Sequence, residues 1–183
     1  MSKKVLVPIA DGSEELEAVC IIDILRRAGA EVTVASVDGL QVTASRGVKL
    51  VADRLIADCM DVTYDLVALP GGMPGAEHLR DSKELELILR RQYEEGRLYA
   101  AICASPAVVL QPHGLLAQRR ATCHPGRVNQ LENTEAVDSR VVKDGNCITS
   151  RGPGTAIEFS LKLVELLYDK QKANDVAEPL VLA

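Results

Sequence analysis

A cysteine at the end of an apolar run carries the strongest chemical signal in this sequence. Cys103 follows the run from Leu98 to Ile102, and Pro106 then opens the stretch Ala107-Val108-Val109-Leu110. Such a run before a proline-started helix predicts a buried strand that turns directly into a helix. A thiol in that turn lies where ligands bind in open α/β sheets and where a helix N-terminus stabilises a thiolate. The alternative is a buried, unreactive cysteine, which is the commoner situation for this residue type.

Acidic residues near the first predicted strand supply a candidate proton carrier. The predicted helix begins at Ser13 as its N-cap, and its apolar face consists of Leu16, Val19, Ile22 and Leu25. Glu14, Glu15 and Glu17 lie in its first turn, where at least two of the three acids are expected to face water. Glu17 differs because it lies three residues before Cys20, on the face that we predict to be apolar. A carboxyl half-buried beside a thiol has a raised pKa and can hold or pass a proton.

Two further loops supply backbone amides and an imidazole. Gly71 and Gly72 follow an apolar run, and their backbone N–H groups can approach a ligand and bind developing negative charge. An ordinary tight turn would use the same residues. His124 follows a predicted strand, a position in which a lone histidine is more often structural than catalytic. The other two histidines, His78 and His113, are predicted at the surface.

Two arginines are candidates for binding an anion near the thiol. Arg27 lies at the predicted end of the first helix and Arg46 in a predicted turn. Each is either an ordinary cap or turn residue, or one of a pair that binds an anion or an oxidised sulfur.

Alternating strand and helix patterns predict the elements that position these residues. We predict strands at 5–10, 31–37, 64–69, 98–102 and 119–123, with short strands forming a hairpin or a sheet extension within 41–51 and a hairpin of 140–142 with 147–150. We predict helices that begin at 13 and at 105, helices at 75–79, 83–95 and 155–168, and a second short helix after the last of these. This alternation predicts a doubly wound, mostly parallel sheet with helices on both faces. The loops 11–17, 70–75 and 103–106 would then leave one edge and meet.

The composition bounds the possible functions. A chain of 183 residues with 47% hydrophobic residues is most simply one domain. A net charge of −5 argues against nucleic acid as the main partner, and no apolar run approaches the length of a membrane span. The start Met1-Ser2-Lys3-Lys4 does not resemble a signal peptide, and five cysteines without a CxxC pair are typical of free thiols. We therefore expect a cytoplasmic protein.

Four motifs together resemble the ThiJ/PfpI superfamily, in the branch that contains bacterial YajL and the parkinsonism-associated deglycase. They are Ala10-Asp11-Gly12-Ser13-Glu14-Glu15-Leu16-Glu17-Ala18, Leu69-Pro70-Gly71-Gly72-Met73-Pro74-Gly75-Ala76, Ala100-Ala101-Ile102-Cys103-Ala104-Ser105-Pro106 and Thr149-Ser150-Arg151-Gly152-Pro153-Gly154-Thr155. The resemblance runs essentially end to end. It implies a flavodoxin-like, three-layer α/β sandwich over residues 1–183 as a single domain, usually a homodimer.

The resemblance also assigns roles to the candidate residues. It implies that Cys103 is a nucleophile on an elbow, and that Glu17 is a protonated carboxyl that acidifies it to a pKa well below about 8.5. The backbone N–H groups of Gly72 and Ala104 match the oxyanion donors of the family. His124 matches a histidine near the pocket, although it lies one residue further from the cysteine than in close relatives.

Two arginines and one alanine complete the match. Arg46 and Arg27 match arginines near the oxidisable thiol, the second contributed by the other subunit of a dimer. Ala44 stands where some relatives carry a secondary cysteine, so redox behaviour of that thiol does not transfer to this chain.

The family implies chemistry on reactive carbonyls without a metal or organic cofactor. Its activities are glutathione-independent glyoxalase activity and deglycation of adducts on proteins or nucleotides, the latter contested because removal of free aldehyde imitates repair. A glutamine amidotransferase is disfavoured because the sequence has no His-x-Glu, and a cysteine peptidase because Ala104 stands where a histidine would follow the nucleophile. A non-enzymatic redox sensor or chaperone that uses Cys103 remains the alternative.

Overall fold

The apolar runs and amphipathic stretches form alternating strands and helices in the computed structural model, which describes residues 2–182. The strands are β1 (Lys4–Ile9), β2 (Glu31–Ser36), β3 (Gln41–Thr43), β4 (Lys49–Val51), β5 (Arg54–Leu55), β6 (Leu66–Leu69), β7 (Leu98–Ile102), β8 (Val141–Asp144) and β9 (Cys147–Ser150). The helices are α1 (Glu15–Arg27), α2 (Gly75–Asp81), α3 (Lys83–Glu94), α4 (Ala156–Leu167) and α5 (Lys170–Ala177). No helix within residues 2–182 is both long enough and apolar enough to cross a bilayer.

Seven strands form one sheet in the order β5-β2-β1-β6-β7-β9-β8, and β3 pairs with β4 in a separate two-stranded sheet. Every pairing in the large sheet is parallel except that of β8 with β9. The chain runs outward from β1 on one side and from β6 on the other, and ligands bind beyond the strand ends at such a reversal. The predicted flavodoxin-like α/β sandwich is confirmed.

The two layers of helices bury opposite faces of the central strands. Tyr99 and Ala101 of β7 pack in one apolar cluster with α2 and α3, whereas Ala100 and Ile102 pack in the other with α1 and α4. Burial on both faces explains why these strands are continuous apolar runs in the sequence. The strand that delivers Cys103 is therefore held rigidly from both sides.

Helix α1 buries a different face from the one predicted. Ser13 does not cap it, because the Ser13 Oγ accepts a hydrogen bond from the Ala10 N–H at 2.9 Å and the helix begins at Glu15. Leu16 and Val19, which we predicted to face the core, are 49% and 48% exposed. The positions that are buried instead are Glu17, Ala18, Ile21, Ile24 and Leu25. Apolar side chains lie on both faces of this helix, so their spacing alone does not decide which face packs.

The predicted strand at 119–123 is wrong. Strand β9 already pairs with β7 and β8, so no edge beside it is left for this segment. Side chains bind its backbone instead: the Thr122 N–H donates to Thr149 Oγ1 at 3.0 Å, and the Arg120 N–H donates to Asp144 Oδ2 at 2.9 Å. The segment still delivers the next residue, His124, to the edge of the sheet, where its N–H donates to the Cys103 carbonyl oxygen at 2.7 Å.

The predicted helix after Cys103 is shorter than its pattern indicated. It is a π-helical turn over Pro106–Leu110, followed by irregular turns. The prediction that His113 is a surface residue is also wrong, since its side chain is only 13% exposed and its Nε2 lies 3.0 Å from the Arg80 carbonyl oxygen. The predicted hairpins around 41–51 and 140–150 are confirmed.

Candidate active site

Cys103 occupies a strained turn at the carboxyl end of β7. Its φ angle is +63°, in the left-handed region that residues other than glycine rarely adopt. Two hydrogen bonds hold the conformation: the Cys103 N–H donates to the Ser150 carbonyl oxygen at 3.0 Å, and the Cys103 carbonyl accepts from the His124 N–H at 2.7 Å. The surrounding backbone thus fixes the direction of the thiol, as at the nucleophile elbow of hydrolases.

The turn fits against β6 because Gly71 lacks a side chain. A Cβ atom on Gly71 would lie 2.6 Å from the Cys103 Cβ and 2.9 Å from the Ala104 nitrogen. Both distances are shorter than any normal contact, so a larger residue here would displace the cysteine. The Gly-Gly pair is therefore more than an ordinary tight turn.

Glu17 points inward from the first turn of α1, as predicted, and is fully buried. Its Oε2 accepts a hydrogen bond from the Gly71 N–H at 2.8 Å. Its Oε1 is buried without a well-formed hydrogen bond within residues 2–182, and the Cys103 thiol is the polar side chain that acts on the carboxyl. Burial raises the pKa of Glu17 to about 7, despite the Gly71 amide and the thiol, which lower it. Near neutral pH this carboxyl is therefore poised to gain or lose a proton.

Two backbone amides are directed at the sulfur. The N–H groups of Gly72 and Ala104 both lower the pKa of Cys103 by hydrogen bonding to its charged form. One comes from the loop after β6 and the other from the loop after β7, so neighbouring strands place them around one atom. These are the residues that the sequence predicts as oxyanion donors, and the structure brings both to the thiol.

The expected low pKa of Cys103 is not found. Burial, followed by the charge of Glu17 and a hydrogen bond with it, raises the pKa of the thiol to about 12. The physical reason is that a second negative charge beside an ionised carboxyl is unfavourable in a poorly solvated site. When Glu17 carries the proton, its repulsion disappears and the two amides still favour the thiolate. The two groups therefore titrate as one coupled system, in which a thiolate requires a protonated Glu17.

The acids that precede Glu17 position a neighbouring hairpin. Ser45 Oγ donates to Glu14 Oε2 at 2.7 Å and to Glu15 Oε2 at 2.9 Å, and the Arg46 N–H donates to Glu15 Oε1 at 2.9 Å. We predicted that at least two of the three acids simply face water, but Glu14 and Glu15 both tie the β3–β4 turn to α1. This turn forms one wall of the site.

His124 lies at the mouth of the site, but part of its hydrogen-bonding capacity is used structurally. Its Nδ1 accepts a hydrogen bond from the Gly126 N–H at 3.1 Å and caps the short helix Pro125–Gln130. The proton of a neutral His124 is therefore on Nε2. The side chain is exposed. It has a donor available for a ligand but is not hydrogen-bonded to the thiol.

The two predicted arginines lie in different places. Arg46 lines the pocket that contains Cys103, whereas Arg27 is on the far end of α1, where its Nε donates to Asp23 Oδ2 at 2.6 Å. Arg27 does not reach the pocket of its own chain. Its predicted place beside the thiol of a partner subunit remains a prediction.

The Cys103 pocket has a volume of about 430 Å³. Its lining combines charged side chains with backbone and apolar groups and consists of Glu14, Ser45, Arg46, Gly72, Met73, Cys103, Ala104, His124, Gly126, Arg127 and Pro153. A larger cavity of about 760 Å³ lies between β8, α4 and α5, but its lining contains no cysteine and no buried acid. The smaller cavity is therefore the candidate active site.

Arg127 and Ser45 also line this pocket and were not predicted from the sequence. Arg127 is three residues after the candidate His124, and this closeness in the chain was the available signal. Within residues 2–182, no three His, Cys, Asp or Glu side chains are grouped so as to hold a metal ion. The chemistry that this arrangement supports is nucleophilic attack by sulfur beside a buried proton carrier.

The chain is similar to one family along its whole length. The family model described as the DJ-1/PfpI family matches residues 3–166. Protein DJ-1 homolog B of Arabidopsis thaliana is 51% identical over 99% of this chain and 42% of its own length. The chain spans less than half the length of the two Arabidopsis relatives that it matches.

Two other proteins match this chain over all or nearly all of their own length. The glutathione-independent glyoxalase DJR-1.2 of Caenorhabditis elegans is 37% identical over 100% of this chain and 97% of that protein. The solved structure of oxidised Toxoplasma gondii DJ-1 is 52% identical with a TM-score of 0.97, over 100% of both chains. The resemblance that the four motifs indicated is confirmed, and the chain belongs to the DJ-1/PfpI family.

Proposed function

We propose that this protein is a cysteine-dependent, glutathione-independent glyoxalase that converts 2-oxoaldehydes such as methylglyoxal to 2-hydroxy acids. The observation that carries the proposal is a buried carboxyl, Glu17, with a pKa of about 7 beside a thiol that two backbone amides face. This set contains a nucleophile, a proton carrier and donors for an oxyanion. A relative named as a glutathione-independent glyoxalase supports the same chemistry.

The reaction begins with transfer of the Cys103 proton to Glu17. The thiolate attacks the aldehyde carbon, one carbon–sulfur bond forms, and the carbonyl electron pair moves to oxygen. The N–H groups of Gly72 and Ala104, which favour negative charge at the sulfur, lie close enough to share this new charge. The oxygen then takes a proton, and the product is a hemithioacetal.

The second step moves hydrogen between adjacent carbons. Glu17, which has given its proton to the hemithioacetal oxygen, removes the proton from the former aldehyde carbon and returns it to the neighbouring ketone carbon, while the hydroxyl proton of the first carbon passes to the ketone oxygen. The first carbon is thereby oxidised and the second reduced, so no external oxidant or reductant is needed. The product of this step is a thioester of a 2-hydroxy acid on Cys103.

Water completes the cycle by attacking the thioester. The carbon–sulfur bond breaks, the 2-hydroxy acid leaves and the thiol is regenerated. The overall change is the addition of one water molecule to the 2-oxoaldehyde.

Deglycase activity requires a different first step, in which the Cys103 thiolate displaces the protein or nucleotide from an aminocarbinol or hemithioacetal carbon. The new C–S bond forms as the old C–N or C–S bond breaks, the leaving group takes the proton from Glu17, and the resulting hemithioacetal continues as above. We place this activity second because displacement at a tetrahedral carbon is harder than addition to an aldehyde.

The proposal is tested by measuring lactate rather than loss of methylglyoxal. Purified protein without glutathione is expected to form lactate catalytically, and Cys103→Ser is expected to form none. Cys123→Ser serves as a matched control, because Cys123 is a buried thiol near the site that the mechanism does not use. Equal lactate formation by the native protein and Cys103→Ser would contradict the proposal, whatever the rate of aldehyde loss.

Redox sensing through Cys103 is a second candidate function. The thiol is only partly buried and lies in a pocket with Arg46 and Arg127, which suit the sulfinate that oxidation produces. A similar solved structure is described as oxidised. If sensing is the main role, peroxide will convert Cys103 to an acid stoichiometrically at concentrations that leave the other thiols unchanged, and lactate formation will be negligible.

We also infer a homodimer formed through the outer face of α1. Leu16 and Val19 on this face are half exposed, and Val48 and Val51 of the β3–β4 hairpin are 50% and 71% exposed. The hairpin is joined to the helix by the Glu15 carboxylate, so these apolar groups belong to neighbouring surfaces. Exposed apolar patches of this kind are typical of interfaces.

The dimer is tested with charge substitutions and light scattering. Leu16→Glu together with Val19→Glu is expected to give a monomer at micromolar concentration. Leu87→Glu is the matched control, because Leu87 is 52% exposed on α3, away from this face. A native protein that is already monomeric would rule out the dimer.

A further inference from the structure

The Cys103 pocket contains two guanidinium groups that no acid neutralises. Arg46 and Arg127 both line it, and neither has a carboxylate within 4.0 Å among the residues from 2 to 182. Arg46 makes only a long contact, 3.4 Å, between its Nη1 and the Ser45 carbonyl oxygen. In a protein with a net charge of −5, unpaired arginines facing a pocket create a local positive potential.

The position of Arg127 is fixed relative to the nucleophile. Its backbone N–H donates to the His124 carbonyl oxygen at 2.8 Å, and the His124 N–H donates to the Cys103 carbonyl oxygen at 2.7 Å. Arg127 therefore lies on a short helix anchored to the cysteine turn itself. The side chain is partly buried, which limits its freedom compared with an arginine on an open surface.

Charged groups of both signs border the pocket, and their effects on neighbouring groups differ. On one wall Glu14, bound by Ser45, raises the pKa of Glu17; on another wall Arg127 lowers the pKa of Cys123. The main groups that shift the pKa of Cys103 are its own burial, Glu17 and two amides, and they include neither Arg46 nor Arg127. Neither guanidinium is therefore a main influence on the reacting thiol, although both line the same pocket and are available to another group of a bound substrate.

We propose that Arg127, assisted by Arg46, is a specificity-determining residue that selects 2-oxoaldehydes carrying an anionic group beyond the ketone. The inference rests on the proposed glyoxalase function. A phosphate or carboxylate at that position meets a guanidinium while the aldehyde carbon meets Cys103. Arginine is suited to this role because its planar donors match both phosphate and carboxylate.

The turnover test compares charged substrates with neutral counterparts of similar size. The phosphate arm uses 3-phosphooxy-2-oxopropanal against 3-hydroxy-2-oxopropanal, and the carboxylate arm uses 4,5-dioxopentanoate against 2-oxopentanal. The native protein is expected to have the higher kcat/KM for the anion in at least one arm, which also identifies the preferred group. If the neutral compound is preferred in both arms, the proposal is overturned.

Three variants assign any preference to Arg127. Arg127→Gln is expected to lower the anion-to-neutral ratio of kcat/KM by about tenfold, since a hydrogen bond to a charged group is lost. Arg127→Lys should retain part of the ratio. Arg90→Gln removes the same charge from an exposed arginine that pairs with Glu86 outside the pocket, and should not change the ratio. An unchanged ratio in Arg127→Gln would refute the assignment.

A second measurement does not depend on turnover. Iodoacetate and iodoacetamide both alkylate Cys103 by displacing iodide, but only iodoacetate carries a negative charge into the pocket. The rate constant for iodoacetate divided by that for iodoacetamide, both measured at Cys103, is expected to be lower in Arg127→Gln than in the native protein. The same ratio is expected to be unchanged in Arg90→Gln. If no aldehyde is turned over but this ratio falls, the glyoxalase proposal fails while the anion-selective role of Arg127 stands; if the ratio does not fall, that role is wrong.

Discussion

Cys103 and Cys147 lie at opposite ends of neighbouring strands and show what distinguishes a candidate nucleophile from a structural thiol. Cys147 begins β9, where it pairs with Tyr99, whereas Cys103 follows the last residue of β7. Burial is the largest cause that raises the pKa of each thiol, to about 12 in both. By pKa alone the two thiols are equivalent.

The two thiols differ in whether a cause of the raised pKa can be removed while the protein stays folded. Burial is the main cause that raises the pKa of Cys147, although a hydrogen bond with Tyr99 and the charge of Arg119 lower it, and only unfolding removes that burial. Part of the increase at Cys103 comes from the charge on Glu17, which disappears when Glu17 takes up a proton. A reactive cysteine is therefore marked by a neighbouring proton acceptor and directed amides, and not by its resting pKa.

The largest expected effect separates the two thiols by function and stability. Cys103→Ser is expected to lower lactate formation by at least about 10⁴-fold, because it removes the nucleophile. Cys147→Ser is expected to retain turnover but to lose about 1–3 kcal/mol of unfolding free energy, because it buries a hydroxyl in an apolar site. Turnover assays and urea unfolding of both variants measure these effects. Loss of activity in a well-folded Cys147→Ser would contradict the conclusion that Cys147 has only a structural role.

The second effect isolates the proton carrier. Glu17→Gln keeps a hydrogen-bond donor but cannot exchange a proton, so we expect turnover to fall by about 10²–10⁴-fold while the thiol remains oxidisable. Glu17→Leu should lose turnover as well and make the thiolate harder to form than in Glu17→Gln. Methylglyoxal turnover and the pH dependence of thiolate absorbance distinguish the variants. Near-full turnover by Glu17→Gln would mean that Glu17 is not the proton shuttle.

Local signals predicted the centre of the site well. The apolar run before Cys103 and the Gly-Gly after β6 indicate strand ends that meet at one edge, and the structure has them there. Glu17 points inward as predicted, although its spacing to Cys20 was an imperfect guide, because Cys20 is only half-buried. These features depend on residues close together in the chain, which is why the sequence contains them.

Features that depend on distant partners were not predicted. The wrong face was assigned to α1 because Leu16 and Val19 have the same spacing as the residues that pack on the sheet. The strand at 119–123 was predicted because the sequence does not reveal that β8 takes the only free edge beside β9. The pKa of Cys103 was misjudged because the charge of Glu17, which is 86 residues away in sequence, acts on it.

The third effect is on stability and comes from the pKa of Glu17. Its folded-state value of about 7 lies above the ordinary value of 4.5, so the native state holds the proton more tightly than the unfolded state. The associated stability is fully present below about pH 4.5 and is lost as the pH rises through about 7, by about 3 kcal/mol in total. The pKa of Cys147 is raised from 9.0, so this thiol adds no slope in that range.

Urea unfolding between pH 5 and pH 8 measures how the free energy of unfolding depends on pH. In this range Glu17 titrates and Cys147 does not. Glu17→Gln is expected to flatten it, because the titrating group is gone. Glu94→Gln, a substitution of an exposed glutamate on α3, is the control and should retain the native slope. A native protein whose stability does not decrease over this interval would show that Glu17 is not held in a raised-pKa state.

The smallest effect we predict is a difference in alkylation rate between the two thiols. With limiting iodoacetamide, Cys103 should react at least about tenfold faster than Cys147, because it is partly exposed and can pass its proton to Glu17. Its rate should rise as the pH passes about 7, where the coupled Cys103–Glu17 system loses its first proton. In Glu17→Leu that rise should move to higher pH, since no acceptor remains. Peptide mapping of the labelled protein identifies the modified residue, and preferential labelling of Cys20, Cys59, Cys123 or Cys147 would show that the pocket does not activate its cysteine.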